Sequence, residues 1–274
     1  MMDLLDRRVL GAIEFVDAVT AARLRAPLKV EPADAGVDIR ANRSSLYVIH
    51  RAPGLESHLD QFEKMPTTPT FGAREFEIRV RDPGRRYLPR GLRIALPRLD
   101  APASDARSVL NPLVVPMFPA ASAAVNPRWA VLRVHVQGSA GRKPGLGNVL
   151  VKVTPQVAGL PAVSAMTDER GEALVAIAGA QPILAQGAAP ALLTRTFACN
   201  VDVVVDRRVV IAAPAPPAAP AAAAAAAAEL PLADPDVIER DRLAGVADVT
   251  LIAQSPVSLS AGQSLRATVE IPWP

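Results

Sequence analysis

One cysteine, Cys199, stands in a chain of 274 residues, so no disulfide can form within the chain and no cysteine cluster can hold a metal. A reducing compartment is the simplest home, and the expected location is the cytoplasm or a particle assembled there. Aromatic residues make up only 4% of the chain, and Tyr47, Tyr87, Trp129 and Trp273 stand apart from one another. This argues against a single-strand nucleic-acid binder, which stacks bases on aromatics interleaved with basic residues. A strong excess of charge of one sign is missing too. The 30 basic residues face 27 acidic ones, which leaves no electrostatic footprint for nucleic acid.

Long uncharged apolar runs are absent, apart from an Ala/Pro-rich tract at 211–228 that is too weakly hydrophobic and too rich in proline at its start to span a bilayer. The opening residues mix acids with bases, and the apolar stretch from Val9 is broken by Glu14 and Asp17, unlike a signal peptide. No membrane span is expected. Familiar catalytic signatures are lacking as well: there is no Gly-x-Ser-x-Gly elbow, Walker loop or dinucleotide fingerprint. The glycines and bases of Gly141-Arg142-Lys143-Pro144-Gly145-Leu146-Gly147 open a strand, whereas a phosphate loop opens a helix.

What the chain does have is proline, 27 residues, about twice the usual share and without a period. Long helices are thereby disfavoured and many short strands favoured. Apolar runs and alternation predict strands at 8–17, 27–30, 46–49, 75–80 and 92–96. A region rich in Pro, Ala, Ser and Asn follows, carrying one apolar island at 113–118. It reads as a connection that grips a surface through that island and becomes ordered on docking. Strands resume at 129–136, where Leu132, Val134 and Val136 share one face and Arg133 and His135 the other. Further strands are expected at 148–153, 172–177, 196–205, 208–211, 249–252, 257–259 and 265–271, and a brief helix of mixed charge at 234–243. The eight-alanine run at 221–228 reads as part of an insertion loop, because so short a run is marginal as a helix in water.

The expected fold is all-β: two β-sandwich domains of transthyretin-like or immunoglobulin-like character joined by a long Pro/Ala-rich connection. The boundaries are 1–100 for the first, 101–127 for the connection, and 128–274 for the second with its Ala/Pro-rich insertion at 212–232. Both β regions begin alike, with a strand, a turn, a second strand, then a polar turn and a third, which suggests a repeated module.

The strand at 148–153, the turn Thr167-Asp168-Glu169-Arg170-Gly171 and the strand after it resemble carboxypeptidase-regulatory-like, transthyretin-like domains over residues 129–178. That resemblance implies a sandwich fold, with Thr and Asp ending one strand and Gly permitting a tight turn, and carries no catalysis. In the first half, Tyr47-Val48-Ile49, Arg81-Asp82-Pro83 and Arg86-Tyr87-Leu88-Pro89-Arg90 leading to Leu96-Pro97-Arg98 are similar to accessory proteins of bacterial contractile, phage-tail-like injection systems. This second resemblance implies a structural or adaptor protein of such a particle and names no site residue.

Three functions are weighed. The leading one is a non-enzymatic adaptor that docks protein partners through edge strands and Arg-rich loops, and a homo-oligomer is compatible with it. Its interface candidates are Arg85, Arg86, Tyr87, Arg90, Phe118 and Trp273, since arginine and large aromatics dominate interface hot spots. A solvated hairpin loop is the plainer reading of the arginine segment, and Trp273 could equally plug its own core. The second function is a carbohydrate- or peptide-binding module, against which the scarcity of Trp and Tyr counts where sugars are concerned. The third is a metal-dependent hydrolase using His50, Glu56 and His58. Their spacing does not match a helical pair, and Pro53-Gly54 interrupts any helix that would align them, so exposed loop histidines are expected instead. Cys199 in its strand is expected to be an inert buried thiol and His135 a surface residue. No cofactor, catalytic residue or metal ligand is assigned.

Overall fold

The computed structural model describes residues 9–56, 73–99, 102–141, 143–179, 183–184, 192–193, 196–213, 231–253 and 256–273. They are mostly strand, with one short helix among them, and the chain divides into two compact units. His58 and most of the Ala/Pro-rich insertion lie outside the described residues.

The first unit takes in residues 1–17, 21–83 and 89–117. Its strands are β1 (Gly11–Asp17), β2 (Lys29–Pro32), β3 (Asp38–Ala41), β4 (Leu46–Arg51), β5 (Arg74–Arg81), β6 (Arg90–Leu96) and β7 (Leu113–Met117). One sheet runs β3-β4-β1-β7 and the other β2-β5-β6. Alternation decides which side chains go inside: Ile13 and Phe15 of β1, Phe76, Ile78 and Val80 of β5, and Leu92, Ile94 and Leu96 of β6 are buried. The ring of Tyr47 meets Phe15 edge to face at 5.2 Å. Its hydroxyl accepts from the Leu28 amide at 2.8 Å and donates to the Leu28 carbonyl at 3.0 Å, so a buried phenol is fully satisfied where it packs.

The expected connection is folded instead. Its apolar island is β7, which pairs parallel with β1 from Ile13 opposite Leu113 to Asp17 opposite Met117, and Val115 and Met117 are buried. The stretch before it is pinned as well. Asn111 donates from its amide to the carbonyls of Ala103 and Asp105 at 2.6 and 2.8 Å, and Arg98 donates to the carbonyls of Ser108 and Ala106. Pro and Ala content concealed a strand whose partner lies about a hundred residues earlier in the sequence.

The second unit takes in 18–20, 84–88 and 118–274. Its strands are β8 (Ala130–Gly138), β9 (Leu146–Gly147), β10 (Leu150–Pro155), β11 (Val163–Met166), β12 (Glu172–Ile177), β13 (Ile183–Leu184), β14 (Leu192–Leu193), β15 (Thr196–Asp206) and β16 (Ile211–Ala212). After the helix α1 (Pro235–Leu243) come β17 (Val249–Ala253), β18 (Val257–Ser260) and β19 (Ser264–Ile271). One sheet is β12-β8-β19; the other is β11-β10-β15-β17, with β18 also on β15. Two short pairs, β9 with β16 and β13 with β14, complete the set. Val134 and Val136 of β8, Val151 and Val153 of β10, Val175 of β12, Val201 and Val203 of β15 and Val269 of β19 meet in one core. Aliphatic β-branched side chains fill it, as the scarcity of aromatics requires. Strands from both sides of the insertion share β15, as the sequence pattern indicates.

The turn at 167–172 shows why its residues are of those types. Thr167 Oγ1 accepts from the Val149 amide at 2.9 Å and donates to the Leu146 carbonyl at 2.7 Å. Asp168 Oδ1 accepts from the amides of Arg170 and Glu172, each at 2.9 Å. Gly171 has φ of +82°, and a Cβ there would lie 2.4 Å from the Val136 carbonyl oxygen.

Helix α1 is too short to persist alone. Pro235 opens it, and Asp234 caps it by accepting from the Asp236 amide. Ile238 enters a second cluster with Leu150, Met166, Val204 and Ala233. Charge then latches the helix down: Lys152 meets Glu239 at 3.0 Å, and Arg208 bridges Asp206 and Asp241 at 2.7 and 2.6 Å.

Candidate docking surface

The arginine segment is held in a defined conformation. The amide of Leu88 donates to the Phe118 carbonyl and that of Ala120 to the Arg86 carbonyl, both at 2.8 Å, with Tyr87 bridged antiparallel to Pro119. Leu88 packs beside the cluster that holds Phe118 and Ile238. On this ladder Arg85 and Arg86 are exposed and Tyr87 is half-buried. Arg85 sits in the left-handed region at φ +53°, a conformation that costs about 1–2 kcal/mol for a residue with a side chain.

Two of the six interface candidates are interior residues. Arg90 is 2% exposed; its guanidinium donates to the Pro116 carbonyl at 2.7 Å and to that of Gly91 at 3.2 Å. A charge that reads as surface in the sequence here satisfies buried carbonyls. Phe118 is buried with Leu150, Met166 and Val204, a placement worth about 2 kcal/mol of transfer free energy. Trp273 is half-buried and packs against the core of its own unit. A Cβ at Gly138 would lie 3.1 Å from the Trp273 Cβ.

The other chemistry resolves into structure. Glu56 Oε1 accepts from the Gly54 amide at 3.1 Å, and hydrogen bonds from its own amide and from Gly54 hold its carboxyl below the ordinary value. His50 is not in an exposed loop as expected but half-buried on strand β4, and among the described residues no three metal-ligating side chains gather. The glycines after Lys143 serve close packing: a Cβ on Gly145 would lie 2.0 Å from the Arg170 carbonyl oxygen. Lys143 itself pairs with Glu270 at 2.6 Å. Burial pushes the Cys199 thiol up to about 11, which keeps it protonated and unreactive. No helix among the described residues is long and apolar enough to cross a membrane.

Sequence reading did not single out the sheet edges residue by residue. Each unit adds its last strand parallel to its first, β7 on β1 and β19 on β8, and each of these last strands ends its sheet. Exposed apolar side chains mark both regions: Leu110 and Val114 in the first unit, Leu265 in the second. The alternation at 265–271 was visible in the sequence, but which strands end a sheet is set by pairings between distant segments. No family model, curated protein or solved structure matches the chain.

Proposed function

We propose that the chain is a non-enzymatic structural or adaptor component, built of two β-sandwich modules, that docks onto partner proteins. The observation that carries this reading is the pinned segment 85–88, which displays two exposed arginines on a backbone ladder. A preorganised segment loses little entropy on binding, and arginine both buries apolar area and makes directional hydrogen bonds. A partner surface rich in carboxylates or free carbonyls suits it. The resemblance of the first half to accessory proteins of contractile injection systems selects a phage-tail-like particle, assembled in the cytoplasm, as the first assembly to test. Affinity purification of the tagged chain from its native host, followed by mass spectrometry, tests this. Recovery of sheath, tube or baseplate proteins supports the proposal; a chain that recovers none of these but retains a glycan or a metal overturns it.

A further inference from the structure

Edge strands left open are templates for other chains, and folded proteins blunt them with short strands, proline or bulges. Three of the edges here are blunted in that way. Pro116 interrupts β7, Pro32 ends β2, and the pairing of β3 shifts register between Asp38 and Ile39. Strand β19 is different. It runs eight residues without proline and pairs with β8 in unbroken parallel register from Ser264 opposite Val131 to Ile271 opposite Gly138. Among the described residues no further strand pairs with its other side.

The hydrogen bonds fix which backbone groups that open side presents. Gln263 accepts from the Val131 amide at 3.0 Å and Ile271 from the Ser139 amide at 2.8 Å. In an extended strand alternate residues point the same way, so the odd-numbered residues from 263 to 271 direct their amides and carbonyls at β8. Ser264, Arg266, Thr268 and Glu270 direct theirs at the open edge. Their side chains are exposed, whereas Val269 and Ile271 face the core.

We infer that this edge pairs with the β19 edge of a second copy of the chain, antiparallel and centred on Thr268. In that register Thr268 meets its own counterpart and Arg266 meets Glu270 of the other copy, twice by symmetry. These are the residues whose backbone groups face outward, so the three pairs exchange hydrogen bonds and stack opposite charges on one face. On the core face Leu265, 39% exposed, meets Ile271 of the other copy, and Ala267 meets Val269. Slipping the register by two residues in either direction breaks both charge pairs. In the register centred on Thr268, Glu270 is shared between Arg266 of the other copy and its own Lys143 and Gln137. The interface is isologous, as a two-fold dimer requires. It concerns self-association and goes beyond the docking proposal, which stands or falls without it.

Sedimentation equilibrium of the full chain over a range of concentrations tests the inference, with thermal melts confirming that each variant is folded. The wild type is expected to be a dimer that weakens as salt rises. Thr268→Pro removes an amide that faces outward and leaves the bonds to β8 intact, so a folded monomer is expected. Arg266→Glu sets like charges opposite each other and is expected to raise the dissociation constant about tenfold or more. Combining it with Glu270→Arg restores the pairing and the dimer. A wild type that stays monomeric at every concentration overturns the inference, as does a dimer indifferent to both Thr268→Pro and Arg266→Glu.

Discussion

Gly171 combines two constraints that most glycines carry singly: a left-handed backbone at φ +82° and a Cβ position already filled by the Val136 carbonyl and the Leu146 amide. Gly171→Ala is therefore expected to cost about 3 kcal/mol or more in chemical denaturation. Gly141→Ala, at φ +60° with nothing within 4 Å, should cost only about 1–2 kcal/mol. Cys199 sits fully buried in β15, and its raised pKa follows from that burial. Alkylation at neutral pH should leave it unlabelled in the folded chain and label it fully in denaturant; rapid labelling of the native protein would contradict the burial. Residue types at turns were legible because Thr167, Asp168 and Gly171 each serve a local hydrogen bond or backbone angle. Arg90 and Phe118 were not, because their burial depends on the carbonyl of Pro116 in one case and on Leu150 and Val204 in the other. Pro116 is 26 positions from Arg90, and no local pattern links them.

At the scale of elements, strands with clear alternation, β5 and β8, could be read from the sequence, and so could α1 from its mixed charge. Strand β3 is short and polar, β11 has two buried and two half-buried residues, and β7 lies in a Pro/Ala-rich stretch, so none has a period that stands out from its surroundings. How α1 is held was also hidden, since Lys152 and Arg208 reach it from other parts of the chain. Hydrogen bonds from Arg242 and Lys152 lower the Glu239 carboxyl from 4.5 to about 2. Because the folded-state value lies below the unfolded one, the latch is at full strength above about pH 4.5 and is lost as pH falls through about 2. Amide hydrogen exchange at 235–243 should rise across that window while the core of β8 and β15 stays protected. In Glu239→Gln the helix should exchange faster already at neutral pH, with a weaker dependence on acid; an unchanged profile would show that Glu239 does not hold the helix.

For the whole molecule, the mostly β character was legible in the pattern of strands, while the folded state of residues 102–117 was not. The second unit takes in the arginine segment 84–88, an assignment that no sequence boundary suggested. The proposed docking runs through Arg85 and Arg86, and both side chains are exposed, so they can be changed without opening the core. The direct measurement is quantitative recovery of partner proteins by the wild type and by Arg85→Glu/Arg86→Glu, matched for melting temperature. Docking through these arginines predicts that the variant stays folded and loses most of the recovered sheath, tube or baseplate protein. Equal recovery by both would contradict it.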